Sequence, residues 1–367
     1  GVSFLIIINK LLSFKQIAAM LFTTSILWNA LSPTMATSAA IHSSFSPSPF
    51  CWNPRPHHVT CYSSKRSSII CSLSQADPQI SNDEASADIG GRISLACPVC
   101  FHKLTLISNG VTFAKCNSQT ELRCTGCRKS YTGKESHMEL AIPSADSYPL
   151  ATEIFRLPLV SFAYERGWRQ SFAAGGFPGP EKEFEMMKKY LDSVSKGSIV
   201  DASCGSGLFA RIFSKSGMFS FVVALDFSEN MLQQCRDFIR QDDGISKDNI
   251  MLVRSDIARL PFVSGSVDAV HAGAAMHCWP SPVLAVAEIC RVLKPGGVFV
   301  GSTFVLDGIL RGLPLLEPIT KGYTRVSGQQ LFLDEREIED ICSSCGLVDY
   351  RFERSEQFIM FCAKKRS

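Results

Sequence analysis

From residue 198 to the end of the chain, short apolar runs alternate with stretches whose apolar residues recur at helical spacing. The apolar runs predict five buried β-strands, near Ile199, Val222, Met251, Ala269 and Val298. The stretches between them predict helices, and the same spacing predicts a further helix over residues 181–195. Strands that alternate with helices favour a parallel sheet covered on both faces.

The C-terminal part of the chain departs from this alternation. Asp334 and Glu337 have the spacing of a capping box, which predicts the start of a helix that Gly346 ends. Two short strands are predicted after it, at 348–352 and 358–363. Residues 304–333 form a long insertion before that helix, and we expect it to be a lid over the site at the carboxyl edge of the sheet.

The segment 199–210, IVDASCGSGLFA, predicts a strand, a glycine-rich turn and the start of a helix. The next strand ends at Asp226, about 20 residues after the turn, as in folds that bind an adenosine-containing cofactor. Residues 205–210 also fit the dinucleotide pattern G-x-G-x-x-G/A. Asp201, however, interrupts the strand before the turn, and a carboxylate there suits ammonium and sulfonium groups better than a pyrophosphate.

Three downstream segments extend this pattern: VRSDIARLPF at 253–262, SVDAVHAGAAMHCWPSP at 266–282 and AEICRVLKPGGVFVGSTF at 287–304. Together the motifs resemble class I S-adenosylmethionine-dependent methyltransferases, especially the ubiquinone/menaquinone C-methyltransferase branch, over roughly residues 181–364. The chain is also similar to plant plastid methyltransferases with a zinc-knuckle start and an ERGWRQ…GGFPGPEKE segment. The resemblance implies an α/β, Rossmann-like methyltransferase sheet with a terminal antiparallel strand.

The resemblance also implies a cofactor, S-adenosyl-L-methionine, and the residues that bind it. Asp201 would lie near the methionine moiety, Asp226 would take the ribose hydroxyls, and Asp256 would accept from the adenine amino group. The cofactor-binding set predicted in this way is Asp201, Ser203, Cys204, Gly205, Gly207, Asp226, Phe227, Asp256 and Ile257. The family often has Gly where this chain has Ser203, and a serine does not adopt a positive φ cheaply.

Methyl transfer from a sulfonium requires mainly that the acceptor is positioned and water excluded. A base is needed when the acceptor must lose a proton, and His277, after the fourth predicted strand, is the candidate general base or hydrogen-bond partner of an acceptor hydroxyl. A packed histidine near Trp279 fits the sequence equally well. Residues 150–196 are expected to form a helical cap. The candidates for lining the acceptor pocket are Tyr164, Arg166, Trp168, Arg169 and Trp279. The alternative role of the cap residues among them is to pack the cap onto the sheet.

Two CxxC turns, Cys97–Cys100 and Cys124–Cys127, precede the methyltransferase motifs. Each presents two thiolates, and two such turns complete a tetrahedron around Zn²⁺. The alternatives are free thiols without a metal or a redox pair. Four protein ligands would close the site, so the zinc would be structural and would hold a small zinc-ribbon-like module over 92–140. Cys116 is expected to be a spare thiol.

No Asp or Glu occurs before Asp77, and residues 35–74 are rich in Ser, Pro and Thr. This composition predicts a chloroplast transit peptide over 35–71, followed by a disordered linker at 72–91. Residues 1–34 are expected to be translated upstream sequence; a membrane anchor and a secretory signal are the alternatives. The apolar stretch 16–31 is shorter than the ~20 residues that span a bilayer, and no transmembrane span is expected elsewhere.

The formal net charge of the chain is +3. Without residues 1–71, which carry five Lys and Arg residues, 32 basic residues face 34 acidic ones. The whole chain therefore gives no charge argument for nucleic acid.

These observations support three hypotheses. The first is a chloroplast methyltransferase for a small lipophilic acceptor, such as a prenylquinone-like ring; the resemblance implies a location in the stroma or at plastoglobules, by peripheral association with plastid lipid bodies. The second is RNA methylation, because bacterial guanine-N1 methyltransferases of ribosomal RNA also place a zinc module before this fold, and residues 92–135 carry seven basic residues against two acidic ones. The third is a cofactor-binding scaffold without turnover.

Overall fold

The described structure contains two sheets and the helices that cover the larger one. The computed structural model describes residues 93–135, 137–142, 172–173, 175–305 and 333–367, all within one unit, Asp83–Ser367. The strands in these ranges are β1 Leu104–Ser108, β2 Glu121–Cys124, β3 Ser130–Thr132, β4 His137–Glu139, β5 Ser198–Ala202, β6 Phe221–Asp226, β7 Ile250–Arg254, β8 Val267–Gly273, β9 Leu293–Phe304, β10 Leu347–Ser355 and β11 Phe358–Lys365. The helices are α1 Pro180–Leu191, α2 Leu208–Ser216, α3 Glu229–Gln241, α4 Pro282–Val292 and α5 Glu335–Ser344.

The larger sheet has eight strands in the order β10-β11-β9-β8-β5-β6-β7-β4. The strands β4 to β9 pair in parallel, and β11 lies antiparallel to both β9 and β10. The predicted parallel sheet with a terminal antiparallel strand is thereby confirmed. The strand order reverses at β5, which has β6 on one side and β8 on the other, and open α/β sheets bind ligands at such a switch point.

The interior strands are apolar because helices cover both of their faces. All five residues of β5 are buried, as are the first four of β7. The helix predicted over 181–195 ends as an α-helix at Leu191 and continues as a 3₁₀ turn, Asp192–Val194. The capping box predicted from Asp334 and Glu337 is present, with both of its hydrogen bonds at 2.8 Å.

Most of the predicted lid, and residues 150–171 of the predicted cap, lie outside the described ranges. Of the insertion 304–333, the structure describes Phe304, Val305 and Leu333. Val305 and Leu333 form an isolated parallel bridge, so the two ends of the insertion lie side by side. In the ranges given above, no helix has both the length and the apolar character that crossing a membrane requires.

Residues 93–140, here called the cysteine module, form the smaller sheet and also join the larger one. The strands β1, β2 and β3 pair antiparallel. β4 instead pairs in parallel with β7, with Met138 opposite Val253. Met138 and Leu140 are fully buried there. The module therefore supplies an edge strand of the larger sheet, which the sequence did not predict.

The first CxxC turn of the cysteine module packs against the loop that follows β7. The guanidinium group of Arg259 donates to the carbonyls of Pro98 at 2.7 Å and Val99 at 3.0 Å. The ring of Phe101 lies between Arg259 and Arg291, whose guanidinium carbons are 5.1 and 4.5 Å from its centroid. Cation–π contacts of this kind add to the docking of the module.

The shared strand pairing predicts that the cysteine module and the larger sheet unfold together. Met138→Ala removes a fully buried side chain from their junction and should lower the free energy of unfolding by about 2–5 kcal/mol. Denaturant unfolding followed by circular dichroism should show one transition that moves as a whole. The matched control, Ile107→Ala, truncates an apolar side chain of the module that is 43% exposed and should change stability by about 0.5 kcal/mol or less. Two separate transitions, with one unaffected by Met138→Ala, would show that the module is independent.

Candidate active site

A cavity opens at the carboxyl ends of β5, β6, β7 and β8, at the switch point of the sheet. Six of the nine residues predicted to bind the cofactor line it: Ser203, Gly205, Asp226, Phe227, Asp256 and Ile257. Asp201, Cys204 and Gly207 are not among its lining residues. The lining also includes residues for which the sequence gave no signal: Phe172, Leu225, Met231, Ser255, Gly273, Ala274, Ala275, Cys278 and Pro280.

The glycine-rich turn after β5 owes its shape to three residues with positive φ. Gly205 has a φ of 56°, Gly207 of 82° and Ser203 of 63°. A Cβ at Gly207 would lie 2.2 Å from the Cys235 sulfur of α3, so this position cannot hold a side chain without a shift. Ser203 thus adopts the conformation that a serine takes only at a cost, and its hydroxyl accepts a hydrogen bond from the indole Nε1–H of Trp279 at 2.9 Å.

Asp226, at the end of β6, holds this turn in place. Its Oδ2 accepts from the backbone N–H of Gly205 and its Oδ1 from that of Ser228, both at 2.8 Å. Burial raises the pKa of Asp226, against the opposite effect of these backbone donors. A carboxylate can accept more than one hydrogen bond per oxygen, so ligand hydroxyls that donate to Asp226 would add to these bonds without replacing them.

Asp256 lies at the end of the neighbouring strand, β7. Its Oδ1 accepts from the backbone N–H of Ala258 at 2.9 Å and so caps the short 3₁₀ turn Ile257–Arg259. Ile257 lines the cavity beside it. Arg259, the last residue of this turn, is the residue held by the cysteine module. The turn that Asp256 caps is therefore linked through Arg259 to the cysteine module.

Asp201 is almost fully buried in β5. It is 2% exposed, and its Oδ1 is 2.7 Å from Nδ1 of His271, its register partner on β8. Its Oδ2 is buried and has no hydrogen-bond partner within the described part of the chain. An unmatched buried carboxylate oxygen is costly, and a donor such as an ammonium group would satisfy it. Sequence reasoning missed His271 as the partner of this carboxylate.

The other side of the cavity is aromatic. His277 is partly buried, its Nδ1 is 3.0 Å from the hydroxyl of Thr303, and its ring meets that of Phe304 edge-on with the centroids 5.3 Å apart. Burial lowers the pKa of His277 to about 4, so the ring is neutral at physiological pH. Phe177 packs against Phe304 with the centroids 4.5 Å apart. The remaining predicted acceptor-pocket residues, Tyr164, Arg166, Trp168 and Arg169, lie outside the described residues.

The four cysteines of the two CxxC turns come together in the cysteine module. Their sulfur atoms all lie within 4.8 Å of one another, with Cys97 to Cys127 at 3.7 Å and Cys100 to Cys124 at 3.3 Å. Zn–S bonds of about 2.3 Å require an S–S separation of about 3.8 Å in a tetrahedron. The four thiols therefore fit one tetrahedral metal ion. The thiol of Cys116 instead contacts the Met138 sulfur.

The two CxxC turns also share one backbone geometry. The N–H of Phe101 donates to the carbonyl of Cys97, and the N–H of Arg128 donates to that of Cys124. The φ angles of Phe101 and Arg128 are 61° and 63°. Equivalent turns present their sulfur atoms in equivalent ways, which is what a symmetric four-thiolate site needs.

The comparisons with known proteins identify the family of the chain. Residues 200–301 match the family described as a methyltransferase domain. Two Arabidopsis thaliana proteins, both named as uncharacterized chloroplastic methyltransferases, are similar to the chain. One is 54% identical over 76% of this chain and 80% of its own length, and the other is 47% identical over 77% and 81%. The demethylmenaquinone methyltransferase of Lactococcus lactis is 39% identical over 110 residues, which are 30% of this chain and 42% of that protein.

One assignment follows from the relatives of high coverage, the matched domain and the fold. The fold is a parallel sheet with a glycine-rich turn and a terminal antiparallel strand. The chain belongs to the same family as the two Arabidopsis proteins and is a class I S-adenosylmethionine-dependent methyltransferase.

Proposed function

We propose that this methyltransferase acts in the plastid on a small lipophilic acceptor with a prenylquinone-like ring. The observation that carries the proposal is the aromatic side of the cavity, where Phe172, His277 and Trp279 line the space next to the strand-end carboxylates. The described lining contains no Lys or Arg. An acceptor with a flat apolar ring suits such a wall, whereas a phosphate-bearing acceptor calls for cationic groups.

Two findings from the relatives support the same acceptor class and location. The Lactococcus relative is named for demethylmenaquinone, which is a prenylated quinone. The two Arabidopsis relatives are named chloroplastic, and the acid-free, Ser- and Pro-rich N-terminal region agrees with import into plastids. A lipophilic acceptor would be found at a lipid surface, so we place the enzyme in the stroma with peripheral association with plastoglobules.

We further propose how the chain holds its cofactor. Asp226 would bind the ribose hydroxyls, Asp256 and Ile257 the adenine, and Asp201 the ammonium group of the methionine moiety. S-adenosyl-L-methionine supplies the electrophilic methyl group and a neutral leaving group. What remains for the protein is to exclude water and to align the acceptor.

His277 would carry out that alignment. Its Nδ1 is engaged with Thr303, so Nε2 is the nitrogen that can meet an acceptor. Because its pKa is about 4, the neutral ring is a weak base and a competent hydrogen-bond partner at pH 7–8. We assign it the role of orienting an acceptor hydroxyl. Proton loss from the acceptor would then follow methyl transfer.

RNA methylation fits the structure less well. Of the seven basic residues of segment 92–135, Lys134 is paired with Glu229 at 2.8 Å and Arg123 with Glu121 at 3.2 Å. These pairs reduce the positive charge that the module can offer to phosphates.

The experiment that tests the acceptor class uses the purified full chain with methyl-labelled S-adenosyl-L-methionine and separate plastid lipid and RNA extracts. We expect label in the lipid fraction. Label in RNA would overturn the proposal in favour of the rRNA-type reaction. The absence of label from both fractions, in a protein that binds S-adenosylhomocysteine, would support the scaffold hypothesis.

Asp226→Asn tests the ribose assignment. The substitution removes the charge that strengthens hydrogen bonds worth about 1.5–3 kcal/mol each, so the affinity for S-adenosylhomocysteine should fall about tenfold or more in titration calorimetry. Asp237→Asn is the matched control, because that carboxylate is exposed on α3 and pairs with Arg236. Equal affinities for wild type and Asp226→Asn would refute the assignment.

The lowered pKa of His277 predicts a pH effect on stability. The pKa rises from about 4 in the folded protein to 6.5 on unfolding, so the contribution is fully present above pH 6.5 and is lost as the pH falls towards 4. Between pH 7.5 and pH 5, wild type should lose about 2 kcal/mol more unfolding free energy than His277→Gln. Denaturant titrations of both proteins at the two pH values measure this, and parallel losses would show that His277 titrates normally.

The cysteine cluster is proposed to hold one structural Zn²⁺, which keeps the first CxxC turn in place against Arg259. Elemental analysis should find about one zinc per chain in wild type and in Cys116→Ala, and much less in Cys124→Ala. The metal-depleted protein should also bind S-adenosylhomocysteine several-fold more weakly, because the turn Ile257–Arg259 loses its support. Full zinc content in Cys124→Ala would argue against the site, and unchanged affinity without metal would argue against the coupling.

A further inference from the structure

Ser203 occupies a position at which the backbone favours glycine. Its φ of 63° resembles those of Gly205 and Gly207 in the same turn. Glycine adopts such a φ without strain, whereas a residue with a Cβ does not. A strained backbone conformation beside a binding cavity persists when the surrounding contacts hold it in place. Serine differs from glycine by its hydroxymethyl group, so the contacts of this group show what the strained residue contributes.

The Ser203 hydroxyl is the acceptor for Trp279. The indole Nε1–H lies 2.9 Å from Ser203 Oγ, and the two residues are 76 positions apart in the chain. Trp279 is 4% exposed. Indole has a single donor, which needs a partner when the side chain is buried. The strained serine thus satisfies the one polar group of a buried tryptophan.

Trp279 belongs to the loop 274–280 after β8, here called the acceptor loop, which also carries His277. Two contacts anchor this loop to β9: the N–H of Ala274 donates to Ser302 Oγ at 3.1 Å, and His277 Nδ1 lies 3.0 Å from Thr303 Oγ1. The bond to Ser203 differs from both, because it joins the acceptor loop to the glycine-rich turn of the cofactor side. Ser203, His277 and Trp279 all line the same cavity.

We infer that the Ser203–Trp279 hydrogen bond is a positioning link through which an occupied cofactor site fixes the acceptor loop. A nucleoside seated against the glycine-rich turn restricts the Ser203 backbone, and the hydroxyl then holds the indole. His277 follows, because it lies two residues before Trp279 in the same short 3₁₀ turn region. Such coupling is reciprocal: an ordered acceptor loop also favours the occupied cofactor site. The inference rests on the proposed cofactor position and concerns how that position communicates with the acceptor side.

Hydrogen exchange tests the link without an acceptor. Backbone amides of the acceptor loop are followed by mass spectrometry with and without S-adenosylhomocysteine, at concentrations that saturate each protein as measured by calorimetry. In wild type, the ligand should slow exchange in 274–280 by at least about fivefold, since a bond worth about 1 kcal/mol changes the opening equilibrium by that factor. In Ser203→Gly at equal occupancy, most of this protection should be lost.

Two further variants separate the hydroxyl from the backbone strain. Ser203→Ala keeps the Cβ and removes the hydroxyl, and Trp279→Phe removes the donor from the opposite side. The link predicts that both lose the ligand-induced protection and that the double variant Ser203→Gly with Trp279→Phe loses no more than either single one. If Ser203→Gly retains wild-type protection while Ser203→Ala loses it, the backbone angle and not the hydrogen bond would matter, and the inference would be overturned.

A measurement on unmodified protein covers the case of a variant that does not fold. The indole N–H resonance of Trp279 should exchange more slowly with solvent once S-adenosylhomocysteine is bound. An unchanged exchange rate in a protein that binds the ligand would overturn the link. Failure of wild type to bind S-adenosylhomocysteine in calorimetry would instead refute the cofactor site itself, so the two failures are distinguishable.

Discussion

The two carboxylate oxygens of Asp226 accept hydrogen bonds from Gly205 and Ser228, one in each of the loops that follow β5 and β6. Bonds to a charged acceptor contribute about 1.5–3 kcal/mol each. They fix the glycine-rich turn. This turn then fixes the φ of Ser203 and the hydrogen bond that Ser203 accepts from Trp279. The shape of the cavity therefore depends on one side chain at the end of β6, the strand beside β5.

The same edge of the sheet is supported from outside by the cysteine module. Its strand β4 extends the sheet beyond β7, and Glu139 on that strand pairs with Arg254 at 3.0 Å. Arg254 also donates to the carbonyl of Phe227 at 3.0 Å, directly after Asp226. The cysteine module is thus connected through Arg254 to the backbone directly after Asp226.

The sequence predicted those features that arise from local patterns. Apolar runs marked five of the six parallel strands described, Asp334 and Glu337 marked a helix start, and the CxxC spacing marked the four thiols that the structure brings together. It could not predict β4, because three residues are too few to show a strand pattern. Contacts that depend on strand order were also missed. The pairing of Asp201 with His271 requires β5 and β8 to be neighbours, which the motif alone does not show.

The account as a whole depends on where a nucleoside binds, and a crystal structure of the full chain with S-adenosylhomocysteine tests this most directly. We predict the ribose hydroxyls within hydrogen-bond distance of the Asp226 carboxylate, the adenine beside Ile257 with its amino group near Asp256, and the amino-acid end towards Asp201. A ligand bound elsewhere, or one whose ribose does not contact Asp226, would contradict it.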